Sequence, residues 1–438
     1  MRAFLKSNTT LLMKSLIAVL LLATFAFAQT PAEMKAAGEA ERAARKAYDG
    51  KMYAEFLIAI QKANAARPNH PRIIYNLASA YAVNGNTDAA LDSLERLANM
   101  GLGYAFENDE DFKTLFEKER FKTVIAKTAA NRVAVNASTR ALLFEGKGLI
   151  TESVAFNPKD KSYFISSVHQ RKIIREDASG NVSEFSSSAD GLFSVLGIKI
   201  DSARGVLWAT TSAFPQMKGF TAEDKGRSGI VRYDLRTGKL AKKYMLPAGG
   251  EHGLGDLVVA QDGTVYSTDS VDNVIYKIDA KTDEFTEFVR SDMFASLQGL
   301  DFSQDRKSLY VADYSKGIFR IDLATKAIVQ LKPSQNVTLL GIDGMYFYRG
   351  RLIAIQNGVS PNRVVSFQLS GDNVTGSKTL EANHADFLEP TTGVLLGDDF
   401  LFIANSQWPL VNEKAELVTD KLRDPVVLKL DLKKLIEK

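Results

Sequence analysis

The chain of 438 residues contains no cysteine. That one absence excludes disulfides, thiolate zinc sites, a cysteine nucleophile and a lipidated N-terminal cysteine. No long Lys/Arg run occurs and the net charge is only +3, so no nucleic-acid partner is expected. Also missing, in any strand–helix setting, are a Gly-x-Ser-x-Gly elbow, a phosphate loop, a His-Glu-x-x-His pair and a dinucleotide fingerprint. Serine-hydrolase and nucleotide chemistry are therefore poor expectations. What is present is ordinary globular material: 45% hydrophobic, 24% charged and 9% aromatic residues. Disorder, collagen-like fibre and a multi-pass membrane protein are excluded on that balance.

The N-terminus reads as an export signal. Arg2, Lys6 and Lys14 precede an apolar run over 15–27, and Ala26 and Ala28 place small residues where a signal peptidase reads. A run of about 13 residues falls short of the roughly 20 that a spanning helix needs. Cleavage after Ala28 is expected, with no membrane anchor left behind. An exported chain without disulfides fits a bacterial periplasm or exterior. The Asn-X-Ser/Thr triplets at Asn136, Asn181, Asn336 and Asn373 have little weight there.

Two regimes of composition follow. Residues 33–130 are rich in Ala, Lys and Glu at helical spacing, with Ile74, Leu77, Ala78 and Tyr81 on one face and a turn at Asn84-Gly85-Asn86. That pattern resembles a tetratricopeptide repeat, with a weaker copy about 34 residues earlier ending at Pro68. Phe112, Leu115, Phe116, Phe121 and Val124 read as a degenerate third unit or a capping pair. The resemblance implies a protein or peptide partner. The alternative is a helical stack packed on its own neighbouring domain, since one hairpin cannot bury its face alone.

After Val135 the texture changes to short β-branched and aromatic runs. Gln298-Gly-Leu-Asp-Phe302, Leu309-Tyr-Val-Ala-Asp313 and Ile318-Phe-Arg-Ile-Asp322 lie over Gly255-Asp-Leu-Val-Val259, Val265-Tyr-Ser-Thr-Asp269 and Val274-Ile-Tyr-Lys-Ile-Asp279. Further copies begin near Glu152, Leu196, Asp343 and Thr392, giving six units of roughly 50 residues. Tight turns at Asp262-Gly263, Asp305-Arg306 and Arg349-Gly350 follow the first strand of a unit. Six four-stranded units predict an all-β six-bladed propeller over 139–432. A length prior of one domain per roughly 150 residues gives three domains. The repeats replace it with a signal peptide (1–28), a helical domain (33–130) and one propeller. The last unit runs out of chain after its third strand, so 140–144 is expected to complete it and latch the ring.

Glu152-Ser-Val-Ala-Phe156, the Gly-Leu and Asp-Gly blade openings and strand ends such as Tyr-Val-Ala-Asp313 carry a second resemblance. Over residues 140–432 the chain resembles the gluconolactonase and senescence-marker-protein family, with the strictosidine-synthase-like group as a near relative. The resemblance implies a divalent ion at the top of the central channel, with Glu152, Gln298 and Asp343 as ligands. Calcium is the first candidate, with magnesium, manganese and zinc behind it; acid and amide oxygens suit a hard ion. It further implies Asp343 as the catalytic base. Family members place Asn where this chain has Gln298 and Gly255; Gly255 offers no side-chain ligand, and neighbouring Asp256 is the candidate to compensate. His252 and Asp256, in Glu251-His-Gly-Leu-Gly-Asp256, are candidate substrate contacts. The sequence shows no metal-like grouping of histidines.

Propeller geometry adds one expectation of its own. The loop entering an inner strand and the loop between strands two and three open on the same face. The two longest insertions, 213–228 and 407–425, both occupy the second kind of loop. They should bring Phe214 and Trp408 beside Glu152 and Asp343 as an apolar pocket mouth. Two functions follow from these readings. One is a metal-dependent hydrolase of a lactone or small ester, with a small molecule in the channel. The other is a non-catalytic scaffold binding a protein, peptide or small ligand.

Overall fold

The computed structural model describes residues 31–186, 188–412 and 416–437; the expected signal segment lies outside them. Helices α1 (Pro31–Asp49), α2 (Tyr53–Ala66), α3 (Pro71–Val83), α4 (Thr87–Asn99) and α5 (Glu119–Arg132) form the N-terminal region. No helix among the described residues is long and apolar enough to cross a membrane. Pro71 at the first position starts α3, and Gly85 and Gly101, both in the left-handed region (φ 77° and 75°), follow the ends of α3 and α4.

Helix α3 lies in the middle of the stack and buries two faces. Ile73, Leu77 and Ala80 pack on Ala44, Phe56 and Ile60 of α1 and α2. Ile74 and Ala78 pack on Leu91 and Leu94 of α4 and on Phe112, Leu115, Phe121 and Val124. The single face read from the sequence thus divides between two cores, with Tyr81 touching both. Phe112 and Leu115 come from a 3-10 segment, so α5 caps the stack in place of a full third hairpin.

Residues 139–431 form six antiparallel sheets, each of at least four strands, arranged as propeller blades. Their inner strands are Thr151–Asn157, Ser194–Asp201, Leu254–Val259, Leu297–Phe302, Ile342–Tyr348 and Gly393–Leu396. The last blade takes its outer strand, Thr139–Leu143, from before the first blade; it pairs antiparallel with Val426–Asp431. Arg140 reinforces this latch by gripping Asp386 with two hydrogen bonds of 2.5 and 2.6 Å. The fifth blade gains an extra parallel strand, Lys332–Pro333.

The ring holds together without covalent links. Thr210 Oγ1 donates across a blade boundary to the Gly255 carbonyl and Thr268 Oγ1 to the Gln298 carbonyl, both at 2.7 Å. Thr391 and Thr392 hydroxyls both reach the Glu152 carbonyl at 2.8 Å, tying the last blade to the first. Each such bond contributes a net stabilisation of about 1 kcal/mol. A second layer of polar fixing recurs at the end of every second strand. Ser167, Ser212, Asp269, Asp313, Gln356 and Asn405 are all buried there. Each is hydrogen-bonded to nearby loop backbone; Asp313 accepts from the amides of Ala295, Ser296, Ser315 and Lys316.

Candidate functional site

The first five inner strands share an irregularity that builds the site. Pairing with the second strand breaks between Thr151 and Val154, Val195 and Ile198, Leu254 and Leu257, Leu297 and Leu300, and Ile342 and Met345. A bulge inserts an extra residue and re-aims side chains. At its first position stand Glu152, Leu196, Gly255, Gln298 and Asp343. The second position in three blades is Gly197, Gly299 or Gly344. A Cβ on these would lie 2.8, 2.6 and 2.9 Å from the next inner strand's backbone, so the blades meet there too closely for a side chain. The Gly-Leu and Asp-Gly openings of the sequence are this close approach.

The bulges surround a cavity of about 240 Å³ at the mouth of the channel. Glu152, Gln298 and Asp343 line it with Leu196, Phe214 and Trp408. The two insertions meet over it: Phe214 and Trp408 contact edge to face, with ring centroids 6.2 Å apart. Trp408 Nε1 donates to Glu152 Oε2 at 2.7 Å. Asn357 Nδ2 donates to Asp343 Oδ2 at 2.7 Å, and Gln298 Nε2 to Ser296 Oγ at 3.2 Å. Glu152 Oε1, Asp343 Oδ1 and Gln298 Oε1 carry no hydrogen bond among the described residues.

The electrostatics match that incomplete pairing. Burial pushes the Glu152 carboxyl well up, and the charge of Asp343 adds to the effect, against the opposing indole hydrogen bond. Burial likewise raises Asp343, resisted by the Asn357 amide and assisted by the charges of Glu389 and Asp256. Each carboxylate is thus short of positive charge. Three oxygens from two acids and an amide, without hydrogen bonds and facing one cavity, form a donor set that fits a hard divalent cation.

Two sequence-derived candidates lie elsewhere. Asp256 occupies the second bulge position, so it turns away from the cavity into the space left by Gly197 and pairs with Lys199 Nζ at 2.9 Å. Its Oδ2 is buried without a partner, so it acts on the site as a nearby negative charge. His252 does not line the cavity. A hairpin brings it to Asp269 (3.0 Å) and Asp272 (3.9 Å). These three form a grouping of ligand atoms within 4.8 Å of one another, which the sequence did not reveal. Asp269 is fully occupied and Asp272 half so, with His252 3.9 Å from its Oδ2. Asp269 Oδ1 accepts from the amides of Gly253, Val271 and Asp272, while Arg290 donates to Asp272 Oδ1 at 2.7 Å.

Five further residues line the cavity that sequence reasoning missed: Ser270, Tyr314, Asn357, Ser296 and Glu389. The first three each follow directly after the buried polar residue that ends a second strand. That repeat position, rather than the inner strand alone, is the signal that finds them. Tyr314 Oη donates to Asn357 Oδ1 at 3.0 Å, so a chain of two hydrogen bonds runs from Tyr314 to Asp343. Glu389 precedes the last blade with a left-handed backbone (φ 62°), and burial raises its carboxyl. A wider groove of about 470 Å³ lies against α1 and α3. Its acids are spent: Arg72 binds Glu41, Tyr75 binds Asp109, and Tyr48 and Ser79 bind Asp111.

No protein-family model matches the chain, and no curated protein matches it in sequence. Several solved structures show a distant likeness to it. A gluconolactonase from Xanthomonas campestris is 15% identical, covering 69% of this chain and 92% of its own, with a TM-score of 0.45. A luciferin-regenerating enzyme is 13% identical, covering 68% and 96%, with a TM-score of 0.48. The PQQ-bound aldose sugar dehydrogenase from Streptomyces coelicolor is 14% identical, covering 68% and 98%, with a TM-score of 0.46. Likenesses this distant carry nothing over to this chain; its six-bladed propeller, preceded by a helical module, stands on its own strand pairing.

Proposed function

We propose that the protein is a hydrolase of a lactone or similar small ester that uses a divalent cation, calcium first among the candidates. The observation that carries this reading is the set of free oxygens of Glu152, Gln298 and Asp343 on one small cavity. These three residues would hold the ion, which supplies Lewis-acid polarisation of a carbonyl oxygen. Asp343 combines the ligand and base roles, its carboxylate holding the ion and taking the proton of an attacking water. Trp408 fixes the Glu152 carboxylate, and with Phe214 and Leu196 it forms the apolar wall that turns water away from a bound ester. The reading includes export to a bacterial periplasm or exterior, supported by the pattern of residues 1–28.

Metal analysis of the purified protein with a lactone hydrolysis screen tests it. Wild type should retain one divalent ion and turn over a lactone, and Glu152→Gln and Asp343→Asn should lose both. An ion-free, inactive wild type, or variants that behave like it, would remove the hydrolase reading. The groove against α1 and α3, with Tyr48, Tyr75 and Arg72 on its walls, favours the second reading, a scaffold that binds a peptide. Under that non-catalytic reading no lactone is turned over, and Tyr75→Ala abolishes capture of a partner peptide.

A further inference from the structure

We propose that the helical module is a built part of the channel site, and that Arg363 and Arg67 are positioning residues carrying its docking to Asp343. This rests on the reading of Asp343 as a site carboxylate.

Arg363 is 2% exposed. Its hydrogen bonds go to neutral groups: Nε to Gln356 Oε1 at 2.8 Å, and Nη1 to the carbonyls of Met100 at 2.9 Å and Gly101 at 3.2 Å. Burial pushes its pKa down to about 10, so it stays charged at neutral pH. A buried guanidinium with no carboxylate is costly unless its donors are well placed. The module supplies that placement. Gly101 is left-handed (φ 75°), and a Cβ there would lie 2.7 Å from Arg363 Nη1. The chain after α4 is therefore shaped around this one side chain.

From Arg363 the path into the cavity is short. Gln356, held by Arg363, also anchors the strand entrance by donating to the carbonyls of Thr338 and Leu340. The next residue is Asn357, whose amide holds Asp343 Oδ2. A second arm starts at Arg67, at the end of α2. Its Nη2 donates to the Ser315 carbonyl at 2.6 Å. Ser315 follows Tyr314, whose hydroxyl holds the other end of the Asn357 amide. A third contact, the Gly103 amide on the Ser360 carbonyl at 2.9 Å, braces the same loop, and Asn362 in that loop donates to the Asn357 carbonyl. All three arms converge on Asn357. That arrangement makes the module a positioning shell for the carboxylate, beyond any role in binding a partner.

Hydrogen–deuterium exchange and Ca²⁺ calorimetry on the full chain decide the matter, comparing wild type with Arg363→Met and Arg67→Ala. Exchange should quicken at 314–315 and 356–359 in both variants. Ca²⁺ affinity should fall about 10–100-fold in Arg363→Met, the usual effect of losing an outer partner of a ligand, and less in Arg67→Ala. Exchange changes confined to 100–103, with Ca²⁺ affinity within about twofold of wild type, would overturn the proposal. A wild type that binds no Ca²⁺ sinks the hydrolase reading, while spread of exchange to Asn357 still decides the coupling. Should Arg363→Met fail to fold, Arg67→Ala, which loses one hydrogen bond from a half-buried side chain, is sufficient to test the coupling.

Discussion

The protein carries two acidic groupings on one face of its propeller, and they are finished differently. At the rim, Asp269 receives three backbone amides and His252, and Asp272 receives Arg290 and the Asn273 amide on Oδ1, which leaves Asp269 as the filled acid of the grouping. In the channel, Glu152 and Asp343 each receive one donor and keep one oxygen free. The rim grouping passes the simpler geometric test for a metal, with three ligand atoms within 4.8 Å. Hydrogen bonding reverses that ranking. Acids whose lone pairs are filled serve the loop they hold, whereas acids left short of positive charge in a buried site are fitted to a ligand.

Substitutions separate the two groupings most sharply. Asp343→Asn should lower lactone turnover about 10²–10⁴-fold, the range for removing a general base, with the melting temperature little changed; steady-state kinetics beside thermal unfolding would show it. Asp269→Ala should do the reverse. It strips a buried acceptor from three amides, and denaturant unfolding should report a loss of about 2–4 kcal/mol, while calorimetry shows Ca²⁺ affinity unmoved. A rim variant that lost the ion would erase the contrast.

Acidity offers a third, smaller contrast. The folded pKa values of Glu152 and Asp343 stand above ordinary carboxylate values. Protonation therefore favours the fold, and the stabilisation is fully present below about pH 4 and is lost as the pH rises through the raised values. In chelator, the melting temperature should fall by about 2–8 °C between pH 5 and 8, and saturating Ca²⁺ should flatten that fall. Asp272 has the opposite sign: burial works to raise it, but the Arg290 hydrogen bond and neighbouring donors outweigh burial and hold it low. The mildest test adds rather than removes. A Cβ at Gly255 would meet nothing within 4 Å, so Gly255→Asn has room to offer a further oxygen and should tighten Ca²⁺ binding about 10-fold.

The propeller was legible in the sequence because its turns and strand ends repeat at near-constant spacing. The inner-strand residues Glu152, Gln298 and Asp343, and the insertion residues Phe214 and Trp408, were found by that same register and come together on one cavity. Asp256 was misplaced because a bulge, invisible in the sequence, turns adjacent residues in different directions. Asn357 and Tyr314 escaped notice because the register was followed along the inner strands, whereas these two stand just past the ends of second strands. Asn357 meets Asp343 across its own hairpin, and Tyr314 reaches Asn357 from the preceding blade. The role of Arg363 was equally hidden, since its carbonyl partners lie about 260 residues upstream.

The latch strand also sets a timetable. Leu143 pairs with Val426, roughly 280 residues later in the chain. At a synthesis rate of about 5–20 residues per second, the N-terminal half of that ladder waits on the order of 15–60 s for its partner. The helical module, whose contacts are local, can be complete within that interval, while the strand at 139–143 still presents unpaired backbone groups to its surroundings. The final hydrogen bonds of the ring therefore form at the very end of biogenesis, and a chain ending before Val426 keeps that strand unpaired.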